Sequence, residues 1–163
     1  HVRSRRQRQM CIRDSFMTEK NKAIELTLAN ECSIRVRFNE ADPLGIVWHG
    51  NYLRYFEEGR ESFGREHGLT YRNMEENKVA APVVKSLCEY KLPLKYDEIF
   101  IIRTTYIDSV AAKLIFRYEL INQQGKTVCT GETIQVFTEL STGELLLNFP
   151  DFIKDWKKKV GML

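Results

Sequence analysis

From residue 81 to residue 140 the chain offers four strand-like segments in a row, with no helical pattern between them. They are APVVKSLCEYKLPLKY (81–96), EIFIIRTTYID (98–108), AKLIFRYELIN (112–122) and KTVCTGETIQVFTEL (126–140). Each is rich in Val, Ile, Thr, Tyr and Phe, the residues that suit a pleated surface. The joints Tyr96-Asp97, Asp108-Ser109-Val110 and Asn122-Gln123-Gln124-Gly125 are short turn signals, and Ser141-Thr142-Gly143 closes the run. Joints this short connect antiparallel neighbours, because a parallel crossover needs about a dozen residues or more. Pro93 inside the first segment predicts an edge strand or a bulge, and Gly131 predicts another bulge.

Upstream, SIRVRF (33–38) alternates apolar and polar residues as a half-buried strand does. NYLRYFEEGRESFGREHG (51–68) places apolar or small residues at 52, 55, 56, 59 and 63, which is helical spacing. Its other face offers two i,i+4 pairs, Arg54 with Glu58 and Glu61 with Arg65. His67-Gly68 ends that helix, with Gly68 free to turn left-handed. TYRNMEENK (70–78) is a short second helix or a turn, and PDFIKDWKKKV (150–160) is a closing helix. Strand, long helix and four strands make an α+β arrangement, an antiparallel sheet packed on one helix. Gly59 at mid-helix predicts the close approach of a strand or a partner. The open sheet edge predicts edge-to-edge association into a homo-oligomer.

A chain of 163 residues, 43% hydrophobic and 29% charged, suits one globular domain. No stretch nears the roughly 18 apolar residues of a membrane span, and no apolar start reads as a secretory signal. The cysteines at 11, 32, 88 and 129 form no CxxC pair and read as free thiols, which points to the cytoplasm. The net charge of +3 belongs to residues 1–16, which hold five arginines and one aspartate; without them the balance is −1. Such a tail can bind nucleic acid or an anionic surface. RRQRQMCIRDS, however, resembles translated sequencing-adapter read-through, and Met17-TEKNKAIEL reads as an ordinary start. Residues 1–16 are therefore read as a non-native or disordered tail and 17–163 as a single domain. No nucleic-acid partner is expected. Three histidines without an HExxH pattern give no metal site.

NEADPLGIVWHGNY (39–52) joins the first strand to the long helix. Its order and spacing, with Asp42, Gly45, Val47, His49, Asn51 and Tyr52 in place and YFEEGRE continuing the helix, resemble the hotdog-fold thioesterases of the 4-hydroxybenzoyl-CoA thioesterase family. The resemblance runs from about Cys32 to the end of the domain. It implies a hotdog fold, a five-stranded antiparallel sheet wrapped around one long helix, with two protomers joining their sheets as a homodimer or homotetramer. It implies hydrolysis of acyl-CoA or acyl-carrier-protein thioesters with no metal and no cofactor beyond the thioester itself. The family's aspartate is nucleophile or general base, a role carried to Asp42. The backbone N–H at the position of His49 polarises the thioester carbonyl.

The chemistry fits those residue types. On the dipeptide alone, Asp42-Pro43 is a turn or a cap. A helix start carries unpaired N–H groups and partial positive charge, which can hold an oxyanion. A thiolate with a parent pKa of about 8.5 departs with little acid help, so no full triad is demanded. The His49 ring is open between contact with the substrate and mere occupation of the helix start. Gly45 shapes the loop and Gly50 admits the substrate to the backbone, both conformational roles. Trp48 and Tyr52 line the acyl tunnel or pack in the core. Glu58 is the alternative catalytic carboxylate, at the helix position a second hotdog branch uses, or simply the partner of Arg54. Two further functions stand as alternatives: a non-catalytic acyl-CoA or carrier-protein binder, and a hotdog dehydratase.

Overall fold

The computed structural model describes residues 28–163. The arginine-rich segment 1–16, Cys11 and Met17 lie outside the described residues, and so does the expected division at residue 17.

The described chain runs β1 (Leu28–Arg35), a 3-10 turn (Phe38–Glu40), α1 (Asn51–His67), α2 (Tyr71–Glu76), β2 (Val79–Ala80), β3 (Val83–Tyr90), β4 (Ile99–Ile107), β5 (Lys113–Asn122), β6 (Thr127–Val136), β7 (Thr138–Glu139) and α3 (Asp151–Lys159). Five strands form one sheet in the order β1-β4-β5-β6-β3, and every pairing is antiparallel. Helix α1 packs its buried face against one side of that sheet. This is the α+β hotdog arrangement, with a C-terminal helix added.

Strand periodicity builds the core. Phe100, Ile102, Thr104 and Tyr106 of β4 and Leu114, Phe116, Tyr118 and Leu120 of β5 all point inward and are buried. They meet Tyr52, Tyr55, Phe56, Gly59, Phe63 and Gly64 of α1. Gly59 is required by β4: a methyl there would collide with Thr104 Oγ1 and stand 2.9 Å from Ile102 Cδ1. The expected close approach is thus made by a strand of the same chain. Gly68 ends α1 in the left-handed region, φ 76°, and donates its N–H to the Gly64 carbonyl. Thr70 caps α2 reciprocally with Asn73.

Four expectations need correction. The first strand starts earlier than SIRVRF and stops at Arg35. Asn30 interrupts the apolar alternation, yet it is buried and donates its side-chain amide to Glu66. After Arg35, Glu40 accepts the Arg37 N–H and pulls residues 38–40 into a 3-10 turn. The segment 81–96 splits, and β3 ends at Tyr90, so Pro93 falls beyond it; the irregularity of this edge strand lies between Val83 and Lys85. Gly131 marks no bulge, and the β5–β6 irregularity sits at Leu120/Ile121. A Cβ on Gly131 would run into the Phe56 ring, which stacks on Tyr118 at 4.3 Å, so the glycine makes room for that ring. Finally, Arg54 and Glu58 form no ion pair among the described residues. Glu58 reaches back to Arg37 at 4.0 Å, while Glu61 and Arg65 pair as expected at 3.5 Å.

Candidate active site

The loop between β1 and α1 is a tight hairpin whose two arms carry the sequence-expected residues. Ala41 bridges Val47, the Asp42 N–H donates to the Ile46 carbonyl at 2.8 Å, and the Gly45 N–H returns to the Asp42 carbonyl at 2.9 Å. Asp42 Oδ1 accepts the Leu44 N–H at 2.8 Å, an Asx turn. Gly45 sits at φ +74° with open space around it, so its need is backbone conformation and not room. Asp42 is half-buried. Its role as a turn-former occupies one carboxylate oxygen and leaves the second without a protein partner among the described residues.

The far arm feeds the helix. The Val47 N–H donates to Leu94, which pins the hairpin against the segment after β3. The Trp48 N–H and the Asn51 side-chain amide both donate to the Glu40 carbonyl at 2.9 Å. The Asn51 N–H closes onto the Trp48 carbonyl. The N–H groups of His49 and Gly50 have no acceptor among the described residues. They stand at the positive end of the α1 dipole, where an oxyanion is best received.

Glu40 carries more of this geometry than the sequence suggested. It is 2% exposed, and its carboxylate accepts the Arg37 N–H and the Tyr55 O–H, each at 2.8 Å. Burial first, and the Glu40 carboxylate next, push the Tyr55 phenol far above its ordinary range, so it stays a donor. Carbonyl and carboxylate of this one residue join the 3-10 turn, the hairpin and the first turns of α1. Glu40 belongs to the NEADP stretch, but nothing local distinguishes it from a solvated loop acid. Its burial comes from Tyr55, a full helical turn inside α1.

Aromatic rings roof the turn. Trp48 lies 4.9 Å from the His49 ring, Tyr90 lies 6.5 Å from His49, and Tyr52 lies 5.0 Å from Tyr90. Tyr90, at the end of edge strand β3, donates its O–H to the His49 carbonyl at 3.0 Å. Sequence reasoning missed Tyr90, since only the sheet brings it to the turn. Of the two residues expected to line a tunnel, Trp48 is 50% exposed while Tyr52 is 3% exposed and packs in the core. A methyl on Gly50 would lie inside the Trp48 ring, so Gly50 is required by that ring; its backbone is ordinary right-handed helix, φ −67°. Glu58 lies apart, in a surface cleft with Arg37, Phe38 and Tyr96 that neither Asp42 nor His49 lines. Among the described residues no group of three or more His, Cys, Asp or Glu is placed to hold a metal. Cys32, Cys88 and Cys129 are free thiols.

This antiparallel five-stranded sheet packed around one long helix is the architecture of hotdog thioesterases. The solved DHNA-CoA thioesterase from Staphylococcus aureus superposes with a TM-score of 0.74 at 26% identity, covering 82% of this chain and 92% of that one. Residues 36–157 match the family model described as thioesterase-like superfamily, and the chain belongs to that family and is a thioester hydrolase. A Bacillus subtilis (strain 168) protein named "Putative acyl-CoA thioesterase YneP" is 38% identical over 93 residues, 57% of this chain and 67% of that protein. A 4-hydroxybenzoyl-CoA thioesterase of Pseudomonas sp. (strain CBS-3) is 30% identical over 73 residues, 43% of this chain and 52% of that protein.

Proposed function

We propose that the chain hydrolyses acyl-CoA thioesters at the turn that opens α1, with Asp42 as the reacting carboxylate. The observation that carries this reading is the pair of unengaged N–H groups at His49 and Gly50, at the foot of the hairpin arm facing Asp42. The thioester oxygen takes hydrogen bonds from those donors, and charge develops on it next to the positive helix end. Asp42 then attacks the carbonyl carbon and forms an anhydride that water afterwards opens to the free acid and the regenerated carboxylate, or it accepts a proton from the water that attacks the carbonyl itself. The C–S bond breaks with its electron pair on sulfur. The thiolate of coenzyme A, or of a carrier protein, leaves without an acid. Gly45 sets the hairpin, Gly50 admits Trp48, and the exposed Trp48 face meets the acyl group beside Tyr52. The His49 ring borders the same turn and contacts the substrate. The reaction needs no metal and no cofactor besides its thioester, and Glu58 takes over the carboxylate role only if Asp42 is dispensable.

The working unit is proposed to be a homodimer, with a tetramer as a pair of such dimers. Among the described residues strand β3 bonds only β6, and Val84 and Leu87 stand exposed on it. An apolar edge of this kind is covered by a second copy. Tyr90 on the same strand would carry the contact to the His49 turn. Free thiols and a coenzyme A substrate suit the cytoplasm.

The test measures thiol release from a panel of acyl-CoAs with wild type and Asp42→Asn. Asparagine keeps the Asx turn, so folding is retained while turnover falls by about a hundredfold or more. Unchanged turnover removes Asp42 from the mechanism and leaves Glu58→Gln as the next variant. Tight binding across the panel without any turnover favours the non-catalytic binder instead.

A further inference from the structure

A second feature lies away from the hairpin. Arg60 is half-buried on α1, roughly 13 Å along the helix axis from Asn51 at about 1.5 Å per residue. Its Nη1 donates to the Tyr118 hydroxyl at 3.0 Å and to Thr133 Oγ1 at 3.4 Å. Both partners are neutral, and they are bonded to one another at 2.5 Å. Arg60 Nε is fully buried with no acceptor, and no carboxylate pairs with this guanidinium among the described residues. A half-buried cation in this state has lost hydration without gaining a counter-charge.

The guanidinium lines a cavity of about 190 Å³ whose other walls include Leu69, Met74, Leu114 and Phe116. Arg65, Arg72 and one carboxylate, Glu61, border it too; Glu61 is neutralised by Arg65, and Arg72 is engaged with Glu76. Arg60 is therefore the lining cation without an acidic partner, and Tyr71 beside it adds a phenolic donor. An apolar cavity of about 150 Å³ already holds benzene, so the volume admits one ring with a small substituent. The adjoining cleft of about 750 Å³ shares Arg60 and Tyr71 but carries Glu57, Glu75 and Glu139, and those carboxylates repel an anion. The smaller cavity is the place where apolar walls and unmatched positive charge coincide.

From this coincidence we infer that the Arg60 cavity is a binding site for a small carboxylate with a ring-sized apolar body, separate from the hairpin at the start of α1. The ring lies among Met74, Leu114 and Phe116. The carboxylate accepts from the accessible end of the Arg60 guanidinium and from the Tyr71 hydroxyl, supplying the counter-charge that the guanidinium lacks.

The probe is benzoate, titrated into the full chain by calorimetry, with benzyl alcohol as the neutral match in size. Benzoate is expected to bind, and Arg60→Gln is expected to weaken it by about ten- to a hundredfold, the worth of a hydrogen bond to a charged group, while benzyl alcohol is unaffected. Nuclear Overhauser contacts between the benzoate ring and the Met74 and Leu114 methyls of the wild type locate the site without any variant. No benzoate binding overturns the inference. Equal binding of benzyl alcohol overturns the role of the guanidinium. Contacts confined to the Asp42–His49 hairpin overturn the separate site. Because thiol release is not the readout, an inactive hairpin and an empty Arg60 cavity are told apart.

Discussion

The Tyr90 hydroxyl donates to the His49 carbonyl across 3.0 Å, so the end of the edge strand holds the turn from which α1 starts. The free N–H of His49 belongs to the same residue as that carbonyl. Fixing one end of the residue therefore helps aim the other. Tyr90→Phe keeps the ring contact with Tyr52 and removes only this bond. It is expected to cost about 0.5–1.5 kcal/mol of stability in denaturant unfolding. The accompanying loss in kcat/KM is expected to be larger, up to about a hundredfold if the donor shifts by an ångström. Equal kinetics for the two proteins would show that Tyr90 does not position the turn.

Glu40 is the second support. Glu40→Ala leaves the buried Tyr55 hydroxyl and the Arg37 N–H without their acceptor. A loss of about 1–3 kcal/mol is expected for the buried Tyr55 hydroxyl left unpaired, and less for the N–H of exposed Arg37, which water can reach. Tyr55→Phe on its own removes the donor as well as the need for it, and it should be milder. In the double variant the Tyr55 part of the loss should disappear, a non-additivity that a double-mutant cycle by chemical denaturation reads directly.

Gly50 and Trp48 are coupled by volume. Gly50→Ala places a methyl inside the Trp48 ring and forces that ring to move. Reduced turnover and a shifted, exposed Trp48 fluorescence are expected. Trp48→Ala on top of Gly50→Ala relieves the clash. If the turn itself is what matters, the second substitution restores kcat while KM stays high from the lost aromatic contact. A double variant as slow as the single one would mean that the methyl, and not the ring, disturbs the site.

Alkaline pH should unfold this protein through its buried phenols. Burial, the largest cause, raises Tyr52 from 10.0 to about 12 and lifts Tyr55 and Tyr106 further. A phenol whose folded pKa is raised stays protonated in the native state while the unfolded chain ionises. Its contribution is fully present below pH 10 and is lost as pH rises through the window from about 10 to about 12. Thermal midpoints should hold steady below pH 10 and then fall. Tyr52→Phe should shrink the fall, and a profile indifferent to that substitution would assign the alkaline loss to other groups.

Much of this molecule is written locally. The 3.6-residue spacing of Tyr52, Tyr55, Phe56, Gly59 and Phe63 gives α1, because one helical face must be apolar to meet a sheet. Short turns between β-rich segments give antiparallel pairing, since nothing longer is available to cross over. Asp42, Gly45 and His49 were legible as a turn-bearing loop leading into a helix, and Gly45 does take the left-handed backbone; that the loop is a hairpin came from the structure. The order of strands, with β3 at the far edge beyond β6, was not legible, because it depends on pairings between residues far apart in sequence. The buried state of Glu40 comes from Tyr55, the need for Gly131 comes from the Phe56 ring, and the hold on His49 comes from Tyr90. Periodicity and turn chemistry act over a few residues, so the sequence alone determined the type and chain order of the main elements and the turn chemistry of the loop before α1. Steric exclusion and buried hydrogen bonds act between surfaces that meet only after folding, so tertiary structure alone decided which side chains hold that hairpin in place.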